Sequence, residues 1–177
     1  MGLPVLMADS VNPHTIPEKF KRNPNGVAGY VDGPLSAWTP HEFRSFPRVW
    51  RITVTGSLAV AARARVIDVE TYDATPADVP AYREERHALT GEPTVVYCDR
   101  STVPLVIAAD AQHLELEWWI AVLGGKFWTI AQLNDWLQAN YQLQLPPDKV
   151  RGIQDLDTGP YDVSQIFGSP SWETTPS

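Results

Sequence analysis

Two carboxylates separated by a single residue, Asp68 and Glu70, have the type and spacing that could do chemistry. They lie in the stretch 65–73, whose β-branched residues predict a β-strand. Side chains alternate along a strand, so both carboxylates point to the same face, with Cα atoms roughly 6.5–7 Å apart. If that face lines a wet cleft, mutual repulsion raises one pKa and provides a general-acid pair. The alternative is an exposed edge strand on which both acids are simply solvated.

The composition predicts one globular domain, residues 1–177, with a polar surface tail from about residue 169. Hydrophobic residues make up 44% of the chain and charged residues 20%, which is typical of a folded protein. The net charge of −7, without a Lys/Arg cluster, argues against a nucleic-acid partner. The sequence shows neither a signal-peptide pattern nor an apolar run of ~20 residues, so we expect synthesis in the cytoplasm and no membrane partner.

Short apolar strands alternate with helices along the chain, a pattern that favours parallel βα units. Strand ends are predicted near residues 9, 32, 55, 70, 98, 122 and 154, and the final gap could hold an eighth strand near Leu143–Leu145. Helices are predicted to begin at four capping residues, namely Thr39, Thr75, Ser101 and Thr129. The predicted fold is α/β, a small or degenerate (β/α) TIM-like barrel. A doubly wound open sheet is the alternative, although no Gly-rich phosphate fingerprint follows the first strand.

Polar residues stand at one predicted strand end after another. In a (β/α) barrel the active site lies at the carboxyl ends of the strands, so these residues should share a cleft. They are Asp9, Asp32, Asp68, Glu70, Asp99 and Gln154. Aromatic residues near the same ends offer flat faces on which sugars stack, although an ordinary core offers them as well: Tyr30, Trp38, Tyr97, and Trp118 or Trp119.

Other chemistries fit the sequence less well than glycoside hydrolysis. A metal site competes as an explanation of clustered carboxylates, but none of the four histidines sits at a strand end or in a metal-ligand spacing. No G-x-S-x-G nucleophile elbow occurs. The single cysteine, Cys98, follows an apolar run and is expected to be a buried thiol. Glycoside hydrolysis needs only two carboxylates, with no metal and no cofactor.

Six sequence segments, one of which contains Asp68 and Glu70, occur in order along nearly the whole chain. They are LMADS at 6–10, AGYVDG at 28–33, IDVE at 67–70, VYC at 96–98 with Ser101, WIA at 119–121, and GIQ at 152–154 followed by YDVS at 161–164. With these segments the chain resembles the family-25 glycoside hydrolases, the lysozyme-type muramidases. It resembles more closely the glycoside-hydrolase-like domains of actinobacterial and phage proteins. The D-x-E element alone is a weak signal, whereas six segments in order are fairly specific.

The resemblance implies a role for each acid. Glu70 would be the general acid that protonates the glycosidic oxygen. Asp68 would be its charge partner, or would steer water or the acetamido group of the substrate, and Asp9 would line the same cleft. Asp162, in the closing D-x-[NS] element, would bind sugar. With the strand-end residues, the predicted substrate-binding set is Tyr30, Asp32, Tyr97, Trp119, Gln154 and Asp162.

Two functions remain open at this level. The first is a phage-encoded hydrolase of cell-wall peptidoglycan, carried on the virion or released with lysis; intact Asp9, Asp68 and Glu70 favour it. The second is a catalytically inactive barrel that serves as a virion structural component, in contact with other virion proteins, or as a glycan-binding module. Small size and missing segments favour the second, and a fold alone does not decide between them. The sixth strand end, Val122-Leu123, departs from the family pattern by being apolar, which argues against a strong grip on substrate.

Overall fold

A computed structural model describes residues 5–33, 37–124, 126–168 and 172, so the predicted tail lies outside the described residues apart from Trp172. Its strands are β1 (Val5–Asp9), β2 (Gly26–Tyr30), β3 (Val49–Thr53), β4 (Val66–Val69), β5 (Val95–Asp99), β6 (Glu117–Ala121), β7 (Val150–Asp157) and β8 (Asp162–Ile166). The α-helices are α1 (Pro40–Arg44), α2 (Val79–Thr90), α3 (Val103–Ala109) and α4 (Ile130–Tyr141). None of the helices in this part of the chain has the length and apolar character needed to cross a bilayer.

The eight strands pair in chain order and close into a barrel. The predicted α/β barrel is therefore confirmed, and the open-sheet alternative is wrong. Strands β1 to β7 run parallel to one another, whereas β8 runs antiparallel to both β7 and β1. Only the four residues 158–161 connect β7 to β8, too few for a crossover, so the chain turns back as a hairpin. The all-parallel arrangement expected from βα units is therefore wrong for the last strand.

The eighth strand predicted near Leu143–Leu145 is also wrong, because this segment forms no strand. Its backbone is satisfied by a side chain instead: the amide of Asn134 donates to the Leu145 carbonyl and accepts from the Leu145 N–H, both at 2.9 Å. Leu145 is buried against the barrel. The apolar pattern here therefore reflects packing without strand pairing.

Capping signals position most helices as predicted. Thr39 caps α1 and Thr129 caps α4, each in a reciprocal capping box. Helix α2 ends at Gly91, whose φ of 69° is the left-handed conformation that glycine adopts without strain. Thr75 forms a capping box on a single 3₁₀ turn, Pro76–Asp78, and α2 follows directly at Val79. Ser101 is not a cap, because α3 begins at Val103 and Thr102 is its N-cap residue. The Ser101 hydroxyl and N–H instead both donate to the Asp99 carboxylate at 2.6 Å.

Alternation along the strands separates an interior core from the outer layers. Met7, Trp50, Ile52 and Trp119 are among the apolar side chains that fill the barrel interior. Helices α2, α3 and α4 cover one part of the outer surface, and α1 with the loops near β1 and β2 covers another. Because the interior is packed, a ligand can be bound only at an end of the barrel.

The amino-terminal end is closed by an ionic cluster and a tryptophan. Glu117 accepts from Arg65 at 2.6 Å and from Arg151 at 2.5 and 2.7 Å, bridging the starts of three strands. Trp172 packs against Trp50 with ring centroids 5.6 Å apart. The opposite end, where the parallel strands terminate, is therefore the better candidate for a binding site.

Candidate active site

Four of the predicted acids meet at the carboxyl end of the barrel. Asp9 is the last residue of β1, Asp68 lies in β4, and Glu70 follows β4. Asp162 is the first residue of β8 and pairs in register with Asp9. An antiparallel strand begins at the edge where its parallel neighbours end, which explains why a residue so late in the chain joins this group.

Two of these acids are buried without compensation. Asp9 and Asp68 are only 4% and 3% exposed. One oxygen of each, Oδ1, has no hydrogen-bond partner among the described residues, and the same holds for Oε1 of Gln154. Buried polar atoms without partners are uncommon in folded proteins and call for an explanation. Three of them at one barrel end indicate a site shaped by something other than folding stability.

Desolvation and neighbouring carboxylates both raise the pKa values of these acids. Burial, reinforced by the charges of nearby carboxylates, raises the pKa of Asp9 and of Asp68 well above the ordinary 3.8. Desolvation and then the charge of Asp73 raise the pKa of Glu70 from 4.5, against the opposing effect of a hydrogen bond from Tyr97. These coupled groups therefore hold protons at pH values where isolated carboxyls would have lost them.

Asp162 follows the same pattern at the edge of the group. Desolvation, aided by the charge of Asp157, raises its pKa to about 6, while a hydrogen bond with Gln154 opposes the shift. This acid therefore changes charge close to neutral pH. Gln154, a predicted substrate-binding residue, is buried and forms the hydrogen bond with Asp162.

Glu70 is exposed and borders a cavity of about 390 Å³, within the size range of ligand pockets. The cavity is lined by Glu70, Thr71, Asp99, Ser101 and Thr102. Asp68 lies on the same strand but is buried. Glu70 is therefore open to a molecule in the cavity, whereas Asp68 and Asp9 are buried and are not among the residues that line it.

Asp73 belongs to the site although the sequence analysis gives it no role. Its N–H donates to the Glu70 carbonyl at 3.2 Å, and this tight turn returns Asp73 towards the strand it has just left. One oxygen from each of Asp68, Glu70 and Asp73 lies within 4.8 Å of the others, so these three could hold a hard cation such as Ca²⁺. The signal that could have identified Asp73 is its position at the end of a four-residue turn.

The predicted tyrosines flank the acids. Burial, then the charges of surrounding carboxylates, raises the pKa of both Tyr30 and Tyr97 well above 10, so their hydroxyls remain protonated donors. Trp119 is only 1% exposed, and its indole donates to the Ser164 hydroxyl at 2.8 Å. Its ring packs 4.6 Å from that of Tyr97, so Trp119 supports the site from below.

Asp32 is engaged elsewhere. Its two oxygens accept from the hydroxyls of Thr53 and Thr55 at 2.6 Å and from the N–H of Val54 at 2.9 Å. These bonds tie the end of β2 to the end of β3. Trp38 lies outside the barrel, where its indole donates to the Ser10 carbonyl. Trp38 is therefore not part of the acid group, whereas Asp32 stays close enough for its charge to raise the pKa of Asp73, after the larger effect of desolvation.

No family model and no curated protein matches the sequence. Solved structures do match it over almost its whole length. A lysozyme from Streptomyces coelicolor is 13% identical, with a TM-score of 0.58 over 97% of this chain and 95% of that chain. A muramidase from Acremonium alcalophilum is 12% identical, with a TM-score of 0.59 over 94% and 95%. A glycosyl hydrolase 25 of Streptococcus pneumoniae, described as a virulence factor, is 14% identical, with a TM-score of 0.55 over 94% and 88%.

The chain has a family-25 glycoside-hydrolase-like fold. The resemblance carried by the six sequence segments is therefore confirmed at the level of the fold. At 12–14% identity the likeness establishes the fold alone. In this family-25-like barrel, the candidate site is defined by its own geometry. The exposed acid Glu70 borders a cavity, and two buried acids with unpaired oxygens, Asp9 and Asp68, lie close enough for its charge to add to the larger effect of burial in raising their pKa values.

Proposed function

We propose that the chain acts on the glycan of cell-wall peptidoglycan as a muramidase-type glycosidase, with Glu70 as the general acid. The observation that carries this proposal is the position of Glu70, which is exposed at the cavity and has a pKa raised from 4.5. A general acid must be protonated when substrate binds, and a raised pKa extends the pH range in which it is. The lysozyme and muramidase folds described above support this substrate class.

The buried acids complete the proposed chemistry. Protonation of the glycosidic oxygen by Glu70 weakens the bond to the sugar carbon, which develops positive charge as the leaving group departs. In its ionised form Asp68 stabilises that charge, or orients the attacking water or the substrate acetamido group. Asp9 provides a second buried carboxyl, close enough to Glu70 for the charge of Glu70 to add to the larger effect of burial in raising its pKa. The two buried acids therefore respond to charge that exists only during the reaction.

The remaining predicted residues provide the proposed grip on the sugar. The hydroxyls of Tyr30 and Tyr97 donate, while Gln154 and Asp162 offer both acceptors and a donor amide. Trp119 holds Tyr97 in place from below. Asp32 stays a predicted substrate contact, although it first has to release hydrogen bonds to the end of β3.

We further propose the biological setting. The chain would be a single domain, a degenerate TIM-like (β/α) barrel encoded by a phage, and carried on the virion or released to the cell wall. Seven parallel strands and a site at their carboxyl ends support the TIM-like description. The net charge of −7 supports a partner other than nucleic acid.

A second candidate is a glycan-binding or structural virion module without catalysis. The observation that favours it is the end of β6, where the sequence continues into Val122 and Leu123. Leu123 is 54% exposed, so an apolar side chain stands where a polar substrate contact would be useful. Asp68 and Asp9 would then be inherited features of the fold with no catalytic role.

The deciding experiment is release of reducing ends from purified wall glycan. Glu70→Gln removes the proton donor, so we expect activity to fall about 10²- to 10⁴-fold, the usual contribution of a general acid. Glu85→Gln, the same change on α2 and away from the cavity, should leave activity unchanged. Glycan binding without release by the unmodified protein would favour the binding module, and the absence of both would favour a structural part.

A further inference from the structure

Tyr72 stands out beside the proposed acid. Its side chain is 101% exposed, whereas the other exposed large hydrophobic residues in the described ranges reach at most 64%. It occupies the third position of the turn from Glu70 to Asp73, which is closed by the Asp73 N–H donating to the Glu70 carbonyl. The ring therefore projects from the tip of the loop that carries the proposed acid.

Folding stability does not account for this residue. Its φ of 77° is that of the third position in a type II turn, which glycine or asparagine normally occupies. In the described part of the chain, Gln142 is the other non-glycine residue with a positive φ, and it ends α4, where the left-handed conformation is common. A fully exposed ring also adds nothing to core packing. Glycine at position 72 would relieve the strain and remove an exposed aromatic.

The surroundings restrict what the ring could contact. Thr71 and Glu70, the residues immediately before Tyr72, both line the cavity. Asp99, another acid, also lines the cavity, and Asp73 follows Tyr72 in the turn. These carboxylates would repel an anionic group, including the lactyl carboxylate of an N-acetylmuramic acid unit. A neutral unit such as N-acetylglucosamine would not be repelled, and its C–H face suits the flat face of an aromatic side chain.

We propose that Tyr72 is a sugar-stacking residue at the rim of the cavity, which positions the glycan chain over Glu70. This inference rests on the proposed function, because it requires a glycan in the cavity. Tyr72 contacts a sugar unit beyond the bond that is cut, so it contributes to binding and not to proton transfer. Its strained backbone holds Tyr72 in the turn next to Thr71, which lines the cavity, at some cost to the stability of the fold.

The test uses soluble glycan strands of alternating N-acetylglucosamine and N-acetylmuramic acid, stripped of peptides. Tyr72→Gly should raise KM about five- to tenfold with little change in kcat, the pattern expected when uniform binding is lost. Its Tm should be equal to or above that of the unmodified protein, because the strain is gone. Tyr72→Phe should regain most of the lost affinity, since it keeps the stacking face.

Leu114→Ser provides a matched control, since Leu114 is also exposed but precedes β6 at the opposite end of the barrel. The dissociation constant for the same strands, measured in the Glu70→Gln background, reports binding separately from turnover. An unchanged KM and dissociation constant in Tyr72→Gly would overturn the inference and leave the proposed function intact. A lower Tm together with a lower kcat and a higher KM would show a structural role for Tyr72 and would also overturn the inference. If the unmodified protein neither cleaves nor binds the strands, the proposed function fails, and the inference fails with it.

Discussion

The two ends of the barrel bury carboxylates to the same degree and treat them in opposite ways. At the amino end Glu117 is 3% exposed and lies between two arginines. Burial alone would raise its pKa, but hydrogen bonds from Arg151 and Arg65 outweigh that effect and lower the pKa from 4.5. At the carboxyl end Asp9 and Asp68 have no such cation among the described residues, and their pKa values rise.

Burial alone therefore does not show what a charged group does. A buried carboxylate with two guanidinium partners has its charge compensated and its oxygens already hydrogen-bonded, so it is not available to bind a ligand. Buried carboxyls with raised pKa values and unpaired oxygens keep that capacity, which is the usual state of acids that act on a substrate. The contrast in charge pairing therefore favours a stabilising role for the buried acid at the amino end and is compatible with a chemical role for those at the carboxyl end.

The largest change in the free energy of unfolding is expected from a substitution at the amino end. Glu117→Gln removes the negative charge that compensates Arg65 and Arg151, so we expect a loss of about 3–5 kcal/mol in the free energy of unfolding. Urea denaturation measures this loss directly. Glu92→Gln is a matched control, because Glu92 pairs with Arg86 at 2.9 Å but is largely exposed, and should cost about 1 kcal/mol or less.

Equal losses in Glu117→Gln and Glu92→Gln would contradict the stabilising role assigned to the buried cluster. The contrast would be sharpened if Glu117→Gln reduced stability while leaving the KM for glycan unchanged at temperatures where the variant is folded. Such a result would separate the two ends of the barrel by experiment.

The sequence predicts the two ends of the barrel unequally well. Asp68 and Glu70 are two residues apart, so strand periodicity alone places them on one face. Glu117 lies 52 residues from Arg65 and 34 from Arg151, and only barrel closure brings them together. Local spacing therefore revealed the candidate chemistry, while the long-range cluster that closes the opposite end left no local pattern.

The same distinction explains the error in the eighth strand. The segment near Leu143–Leu145 alternates leucine with glutamine, which favours a strand, but the side-chain amide of Asn134 satisfies the backbone of Leu145 instead. The true β8 is short and half polar, so its periodicity is weak. Only the family resemblance pointed to this region, through Asp162. Capping boxes, by contrast, depend on residues three apart, and those at Thr39 and Thr129 were predictable.

At the carboxyl end we expect a smaller change in the free energy of unfolding, and one of opposite sign. Asp68→Asn removes a buried charge that has no compensating cation, so we expect the folded state to gain on the order of 1 kcal/mol at neutral pH. Hydrolysis should fall in the same variant, because the charge partner of Glu70 is lost. Urea denaturation and reducing-end release from the same preparation measure both changes. A destabilised Asp68→Asn protein would mean that this acid supports the fold, as Glu117 does.

The smallest effect is a pH dependence in which the two ends oppose each other. For a carboxyl with a raised pKa, the folded state binds more protons than the unfolded state, so stability increases as pH falls through the folded pKa. Asp162, with a pKa of about 6, Asp9 and Asp68 act in this direction. Glu117 acts in the other, because its pKa is lowered and its contribution is lost only as pH falls below 4.5.

The Tm should therefore rise between about pH 7 and pH 5 and fall again at lower pH, by a few degrees in each direction. In the double variant with Asp9→Asn and Asp68→Asn, the rise should shrink while the fall at low pH persists, because Glu117 is untouched. Thermal unfolding at half-unit pH steps measures both limbs. A Tm that falls steadily from pH 7 downwards would mean that the acids at the carboxyl end are compensated, which would remove the physical basis for placing the chemistry there.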